Sequence, residues 1–336
     1  MLENDKLRYI DLFAGIGGFR VALDRLGLGC VFSNDYDKHA CITYSANFGE
    51  ILHKDINEVK SEDIPSFDIL CGGFPCQPFS IAGVSKKNSM GVKHGFEDKK
   101  QGNLFFEIIR IVKHHKPKIL FLENVKNLKS HDKGATWMVI KSEIENAGYY
   151  VFEKIVDGKY YVPQHRERIY IVCFNKEQYP KIKFEFPNYP PKRIYELKEV
   201  IFDEVEEKYT LTDHLWNYLQ NYKKKNQEKG NGFGFGLIDR HNSDHTRTMS
   251  ARYHKDGSEI LIKQKNKNPR RLTPKEAAKL QGFPENFKIP VSDTQAYRQF
   301  GNSVVVPAIW ATAEKILQTV KEYDTGGARN NNLLFE

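Results

Sequence analysis

Hydrophobic residues in the first half of the chain occur in short runs separated by segments with helical spacing. Runs rich in β-branched and aromatic residues, which predict strands, are LRYIDLF, CVFSN, FDILCGG, KILFLEN and RIYIVCF. Helical patterns between them predict helices near residues 17–27 and 103–115. This alternation favours an α/β fold in which helices cover both faces of a mainly parallel sheet.

The regular pattern ends near residue 185. Prolines cluster at 187–191, and YKKKNQEKGNGFGFG interrupts any core-forming period. Regularity returns at Thr273, which is predicted to cap a helix beginning at Pro274. We therefore predict a first domain that includes the final amphipathic helix and a second, smaller domain. The predicted boundaries are 1–185 plus 301–325 for the first domain, 186–272 for the second, 273–300 for a connecting helical region and 326–336 for a flexible tail.

Composition limits the class of protein. The 336 residues are 40% hydrophobic, which is enough for a sizeable core. No apolar run reaches roughly 18 residues, so neither a membrane span nor a signal peptide is predicted. The five cysteines form no CxxC pair. We expect a cytoplasmic protein with no metal.

Charge is concentrated in one segment of the chain. The net charge is +8, and residues 221–271 hold 13 Lys and Arg against 5 Asp and Glu, whereas the remainder holds 38 of each. A localised basic region favours a polyanion partner, because neutralising phosphates releases counterions. A solvated lysine-rich loop is the alternative.

A glycine loop follows the first predicted strand in DLFAGIGGF, with Gly15, Gly17 and Gly18 before a helix. Such loops bring backbone close to a nucleotide-like ligand. Arg20 occupies the position of the third glycine of a dinucleotide fingerprint, so NAD is disfavoured. Asp35, 20 residues beyond Gly15, is placed to accept ribose hydroxyls.

Two further positions near this loop are candidates for adenine contacts. Tyr36 has a ring that can stack on adenine, and Asp55 would end the third strand, where it could accept from the adenine amino group while Ile56 covers the ring. A helix cap or a solvated loop carboxylate is the alternative for Asp55.

Reactive side chains follow other predicted strands. Cys76 lies between Pro75 and Pro78 in GGFPCQPFS, after FDILCGG, and Glu123 ends KILFLEN. Strand ends in open α/β sheets carry active sites. A buried structural thiol is the alternative for Cys76. Arg166 and Arg168 are two residues apart and share one side of an extended segment.

Seven motifs, in this order, resemble those of the cytosine-5 DNA methyltransferases. They are DLFAGIGGF, NDYD, GGFPCQPFS, LENV, QHRERIY, LTPKEAAKLQGFP and QAYRQFGNSVVVPAI. The resemblance covers residues 8 to about 320, except 185–268. It implies a Rossmann-like S-adenosylmethionine-dependent methyltransferase domain with a mixed, mostly parallel sheet, and a smaller irregular target-recognition domain.

The resemblance also implies a mechanism. Cys76 would attack C6 of a flipped cytosine, and the methyl group of S-adenosylmethionine would go to C5. Glu123 would hydrogen-bond N3 and N4 of the base. Arg168, and less directly Arg166, would hold its O2 side.

Contacts to cofactor and DNA carry over residue by residue. Cofactor contacts are implied for Phe13, Ala14, Gly15, Gly17, Gly18, Asp35, Tyr36, Asp55, Ile56, Pro75, Leu104, Asn302, Ser303 and Val304. DNA contacts are implied for Gln77, Ser80, Lys86, Lys87, Lys99, Lys100, Arg247, Thr248, Met249 and Arg252. The long loop 81–101 lacks the arginine usual before its glycine, and Lys99 or Lys100 is the candidate replacement.

The predicted function is therefore sequence-specific DNA cytosine-5 methylation in a bacterial restriction-modification system. The expected partner is duplex DNA with a short recognition site, and the protein is expected to be a monomer associated with the nucleoid through DNA. By analogy the chain resembles either a restriction-modification methyltransferase, with a cognate endonuclease that acts separately, or its solitary counterpart. Alternatives are tRNA cytosine-5 methylation and a DNA-binding protein without catalysis. NYPPK, at 188–192, resembles the motif of amine methyltransferases, but its order in the chain is wrong.

Overall fold

The computed structural model describes residues 6–74, 104–230 and 234–331, with side chains as far as Gly326. The strands are β1 (Arg8–Leu12), β2 (Gly29–Asp35), β3 (Leu52–His53), β4 (Ile69–Gly73), β5 (Ile119–Val125), β6 (Tyr149–Asp157), β7 (Glu167–Asn175), β8 (Leu237–Ile238) and β9 (Leu261–Ile262). The helices are α1 (Gly18–Asp24), α2 (Lys38–Phe48), α3 (Leu104–His115), α4 (Ala135–Asn146), α5 (Leu197–Val200), α6 (Asp213–Glu228), α7 (Pro274–Leu280), α8 (Asp293–Asn302) and α9 (Val306–Asn331).

Seven strands form one sheet in the order β3-β2-β1-β4-β5-β7-β6. Strands β1 to β5 are parallel, and β7 runs antiparallel to both β5 and β6. The predicted mixed, mostly parallel α/β fold is confirmed. Strand β1 lies between β2 and β4, so the strands that follow it are added first on one side of β1 and then on the other. A crevice forms at the carboxyl end of the sheet where the strand order reverses in this way.

Both faces of the sheet are buried under helices. Ile10 and Leu12 of β1 join a core cluster with α3 residues such as Ile108, whereas Tyr9 on the other face packs in a cluster with residues of α1 and α9. A central strand covered on both sides needs a nearly continuous apolar run, as RYIDL provides. Its first residue, Arg8, is exposed, and the one polar residue among its four buried positions is Asp11.

Helix α9 packs against α1 and so returns the end of the chain to the sheet. It continues to Asn331, although the sequence pattern predicted a flexible tail from residue 326. Gly326 and Gly327 are weak helix formers, but they do not end the helix. Within the described residues, no helix is long and apolar enough to cross a membrane.

The predicted cap of α7 is confirmed. The Thr273 hydroxyl accepts from the Glu276 amide at 3.2 Å, and Glu276 Oε2 accepts from the Thr273 amide at 2.7 Å. The same carboxylate pairs with Arg270, whose two terminal nitrogens lie 2.9 and 2.8 Å from Oε2 and Oε1. Both side chains are 2% exposed or less, so a buried bidentate ion pair anchors the start of α7.

The region between the sheet and α7 contains little regular structure. Its short strands β8 and β9 pair with each other, and a small cluster of Leu211, Leu219 and Leu261 lies beneath α6. The sequence pattern had indicated irregular structure in this part of the chain. It had not predicted α2, α4 or the edge strand β6, and it was wrong for YKKKNQE, which forms the end of α6 because a solvent-facing helix needs only a narrow apolar stripe.

Candidate active site

The loop between β1 and α1 has the backbone conformation that its glycines predict. Gly15 and Gly17 have φ values of 56° and 85°, and Phe13 has a φ of 55°. A Cβ on Gly15 would meet no atom within 4 Å, whereas a Cβ on Gly18 would lie 2.5 Å from Val304 Cγ2. The loop is therefore open above Gly15 and closed by the chain's C-terminal segment at Gly18.

Asp35 lies beside this loop at the end of β2. Its Oδ2 accepts from the Gly15 amide and its Oδ1 from the Asp37 amide, each at 2.8 Å. Burial raises the pKa of Asp35, and the backbone donors oppose that rise. Next to it, the Tyr36 ring is 71% exposed. A carboxyl and an unobstructed aromatic ring thus border the glycine loop, as a nucleoside requires.

The side chains of Asp55 and Ile56 have structural roles. Oδ1 of Asp55 accepts from the amide of Asn57 at 2.9 Å and from its side chain at 2.7 Å, so Asp55 caps a short 3-10 turn. Ile56 is 2% exposed and belongs to the core. The capping alternative for Asp55 matches this geometry.

Other predicted cofactor contacts lie at helix ends. Leu104 is the first residue of α3 and is partly buried, and Ala14 is buried in the glycine loop. Asn302 is the last residue of α8 and is exposed, and Ser303 follows it as the helix cap. Pro75, the remaining predicted contact, lies outside the described residues.

Glu123 and Arg168 form the polar centre of the carboxyl edge of the sheet. Arg168 Nε lies 3.1 Å from Glu123 Oε1, and the two side chains are 17% and 10% exposed. Glu123 pairs in register with Gly73 of β4, and Arg168 pairs with Val125 of β5. Burial raises the pKa of Glu123, while Arg168 and Arg166 oppose the rise. A buried carboxyl held beside a guanidinium can share or donate a proton.

Asn124 fixes the end of the neighbouring strand. Its side-chain nitrogen Nδ2 donates to the Phe74 carbonyl at 2.8 Å, and its side-chain oxygen Oδ1 accepts from the Val125 amide at 2.8 Å. Phe74 directly precedes Pro75 and Cys76 in the sequence. Cys76 itself lies outside the described residues, as do the predicted DNA contacts Gln77, Ser80, Lys86, Lys87, Lys99 and Lys100.

Arg166 connects three chain segments. Its Nη1 donates to the Met249 carbonyl at 2.9 Å, and its Nη2 donates to the carbonyls of Gly301 at 3.0 Å and Ser303 at 2.6 Å. The side chain is 2% exposed, and burial together with Arg168 lowers its pKa to about 9. Backbone carbonyls thus engage both terminal nitrogens of Arg166. Arg168 is the arginine that pairs with Glu123.

The contact between these segments requires a glycine at position 301. A Cβ there would lie 2.3 Å from the Ser250 carbonyl oxygen and 2.4 Å from the Ala251 nitrogen. Gln164 adds a further link, because its side chain accepts from the Met249 amide at 2.9 Å and donates to the Leu280 carbonyl at 3.2 Å. No role was predicted from sequence for Gly301 or Gln164. Their only signal was that they lie within the motifs QAYRQFGNSVVVPAI and QHRERIY.

The four remaining DNA candidates differ in exposure. The Met249 side chain is fully buried in the core, and the Thr248 hydroxyl donates to the His165 carbonyl at 2.6 Å, so both side chains are engaged within the protein. Arg247 is exposed and donates to the Gly234 carbonyl at 2.9 Å. Arg252 is exposed, and its guanidinium has no hydrogen-bond or ion-pair partner among the described residues. The two arginines are thus the side chains of this set that can meet a ligand.

Asp11 is a buried polar residue for which no role was predicted from sequence. It is 1% exposed, and neither carboxylate oxygen has a partner within the described part of the chain. Burial raises its pKa well above the usual range. Its only signal in the sequence was a carboxyl within an otherwise apolar strand pattern. A charged form is therefore disfavoured beneath the glycine loop.

Comparison with known proteins identifies the family. The sequence model of the C-5 cytosine-specific DNA methylases matches residues 7–318. The Type II methyltransferase M.DsaV of Dactylococcopsis salina is 49% identical over 320 residues, which cover 95% of this chain and 88% of that protein. The Type II methyltransferase M.SsoII of Shigella sonnei is 51% identical over 321 residues, covering 95% and 82%.

Solved structures agree at the level of fold. A DNMT2 mutant of Spodoptera frugiperda superimposes with a TM-score of 0.72 at 21% identity, covering 94% of this chain and 100% of that one. The Dnmt2 methyltransferase of S. pombe gives a TM-score of 0.71 at 19% identity, with the same coverage. The sequence match over nearly the whole chain and the buried carboxyl–guanidinium pair at the sheet edge lead to one conclusion: the chain belongs to the C-5 cytosine-specific DNA methylase family and is a DNA cytosine-5 methyltransferase.

Proposed function

We propose that the protein methylates C5 of one cytosine within a short specific site in duplex DNA, as the modification enzyme of a restriction-modification system. The observation that carries the proposal is the buried pair of Glu123 and Arg168, at 3.1 Å, beside the strand end that leads to Cys76. The family match and the names of the Type II relatives support duplex DNA as the substrate.

The chemistry begins at Cys76. We propose that its thiolate bonds to C6 of an extruded cytosine, which makes C5 nucleophilic. Glu123, whose pKa is raised by burial, holds a proton at N3 as negative charge builds in the ring. Arg168 holds both the Glu123 carboxyl and the O2 side of the base. After C5 gains the methyl group, it gives its proton to water, the C–H electrons re-form the C5–C6 double bond, and the Cys76 sulfur leaves C6 as a thiolate.

The cofactor proposed is S-adenosylmethionine, which supplies the methyl group when bound. The described residues fit its nucleoside part. The Asp35 carboxyl retains acceptor capacity for ribose hydroxyls, the Tyr36 ring is 71% exposed for adenine, and the space above Gly15 is open. Helix α1 begins at Gly18, so its amide groups face the loop.

We assign recognition of the DNA site to the region 186–272. The catalytic domain then consists of residues 1–185, which contain the large sheet, and the returning segment 301–325. Exposed Arg247 and Arg252 support this division, because guanidinium groups contact guanine edges or phosphates. We further propose that the enzyme acts as a monomer on DNA and that a separate endonuclease cleaves the same site when it is unmethylated.

The first test measures label transfer from tritiated S-adenosylmethionine to plasmid DNA and, in parallel, to tRNA. We expect label in DNA, none in tRNA, and no transfer by Cys76→Ala, with Cys173→Ala as the control at a buried thiol away from the site. Bisulfite sequencing of the plasmid then identifies the modified cytosine. Label in tRNA alone would establish the RNA alternative instead.

The second test uses a duplex with 5-fluorocytosine at the mapped position. Fluorine blocks loss of the C5 substituent, so the wild-type enzyme should remain bound covalently to the DNA in denaturing gels. Cys76→Ala should give no such complex. If the wild type transfers label to normal DNA but is never trapped, the covalent mechanism is excluded.

A further inference from the structure

Helix α6 packs through one side only. Leu219 is buried in the small cluster with Leu211 and Leu261, and Trp216 contacts Phe235. The outward side carries Tyr218, Tyr222, Lys225 and Lys229, spaced by four, three and four residues, so they share one face of the helix and its cap. We call these four residues the tyrosine–lysine face.

The tyrosines of this face are exposed although they are aromatic. Tyr218 and Tyr222 are 55% and 47% exposed, and their rings stack with centroids 6.1 Å apart and planes at 21°. None of the four side chains has a hydrogen-bond or ion-pair partner among the described residues. Their phenol and ammonium groups are therefore available to an external ligand.

Helix stability explains only part of this arrangement. Lysines near a helix C-terminus interact favourably with the macrodipole, which accounts for Lys225 and Lys229. A stacked i, i+4 aromatic pair on an exposed face stabilises a helix only slightly. That contribution does not account for two large rings on a solvent-facing surface.

Gly234 and Phe235 lie between this helix and a predicted DNA contact. The ammonium group of Lys223 lies 4.6 Å from the centroid of the Phe235 ring, and a Cβ on Gly234 would lie 2.9 Å from Lys223 Cγ. On its other side, the Gly234 carbonyl accepts from Arg247 at 2.9 Å. Helix α6 therefore adjoins the exposed Arg247 of the recognition region.

We propose that the tyrosine–lysine face binds the sugar–phosphate backbone of duplex DNA beside the target site. The inference rests on the proposed function. Charge complementarity favours this occupant: the last two turns of α6 and its cap carry Lys223, Lys224, Lys225 and Lys229 against Glu228. Ammonium groups neutralise phosphates, and phenol hydroxyls donate to phosphate oxygens without reading sequence.

The test compares Lys225→Ala/Lys229→Ala and Tyr218→Ala/Tyr222→Ala with wild type on a duplex of about 30 base pairs centred on the mapped site. For the lysine variant we expect the slope of log K against log salt to fall by roughly two, and KM for DNA to rise by roughly five- to tenfold at low salt. The turnover number at saturating DNA should not change. Hydroxyl-radical footprints should lose protection on one flank of the site only, in both variants.

Lys183→Ala/Lys321→Ala is the matched control, because it removes the same charge from two exposed lysines. It should retain the wild-type salt slope and footprint. If wild type methylates DNA but the lysine variant matches this control in slope and footprint, the inference is overturned. If wild type methylates no DNA at all, the proposed function fails first.

Discussion

The carboxyl edge of the large sheet and the recognition region use the same residue type, arginine, in opposite ways. Arg168 is largely buried against Glu123, whereas Arg252 is exposed without a partner in the described chain. The first arrangement is set before any ligand arrives, and the second is completed by a ligand. Under the proposed function, chemistry on the base would use groups that folding has already removed from water, and recognition would use groups that become buried only when DNA binds.

The largest effect on activity is expected from a variant that lacks the acidic proton of Glu123. Glu123→Gln should lower the rate of methyl transfer by about 10²- to 10⁴-fold, because it removes a positioned proton donor. DNA affinity should change little. Single-turnover kinetics and filter binding measure the two quantities separately. Glu153→Gln, on the edge strand, is the control, and equal losses in the two variants would contradict a special role for Glu123.

The same residue predicts the direction of the pH profile. Burial raises the pKa of Glu123, so the folded enzyme retains this proton at pH values where the unfolded chain has lost it. The contribution of this proton to both stability and activity is present at low pH and is lost as pH rises through the raised pKa. The fall in activity at high pH that follows from loss of this proton should be absent from the pH–rate profile of Glu123→Gln.

An intermediate effect is expected where the recognition region joins α7. Glu276→Ala leaves the buried Arg270 guanidinium unpaired and should lower the free energy of unfolding by about 3–5 kcal/mol in urea titrations. Replacing both residues together, Arg270→Met with Glu276→Leu, should recover only the part of that loss caused by the unpaired guanidinium, because the Thr273 and Phe202 amides still lose their acceptor. If the double replacement is as unstable as the single one, the pair is needed for more than mutual compensation.

The smallest effect is expected at the exposed arginine. Arg252→Ala should weaken binding to the mapped site by about 1–3 kcal/mol if it reads a base edge, and equally on all sequences if it contacts phosphate. Unfolding should not change in either case. Arg25→Ala, at the exposed end of α1, is the control for charge. Competition between cognate and mutated duplexes distinguishes the two modes.

The sheet and the positions of its functional strand ends could be predicted from sequence, because alternation and motif order are local signals. Glu123 and the glycine loop therefore lie where the sequence indicated. Strand β6 escaped prediction, since YYVFEKIVD is a half-buried edge strand with mixed polarity. Helix α2 escaped prediction because its apolar residues do not form a clear stripe.

The roles of two predicted site residues required the structure. Arg166 shares its pattern with Arg168, yet its partners lie 83, 135 and 137 residues away in the chain. Asp55 follows a strand, as a ligand would, but Asn57 provides its nearest donors. Nothing in the local sequence distinguishes such tertiary and capping contacts from contacts with a ligand.

The contacts of Arg166 also have a thermodynamic consequence. One guanidinium holds the Met249 carbonyl of the recognition region and the Ser303 carbonyl beside the glycine loop. Under the proposed function, a displacement of either segment on ligand binding would act on the other through these shared hydrogen bonds. Any factor by which DNA changes the affinity for the methyl donor must then equal the factor by which the donor changes the affinity for DNA.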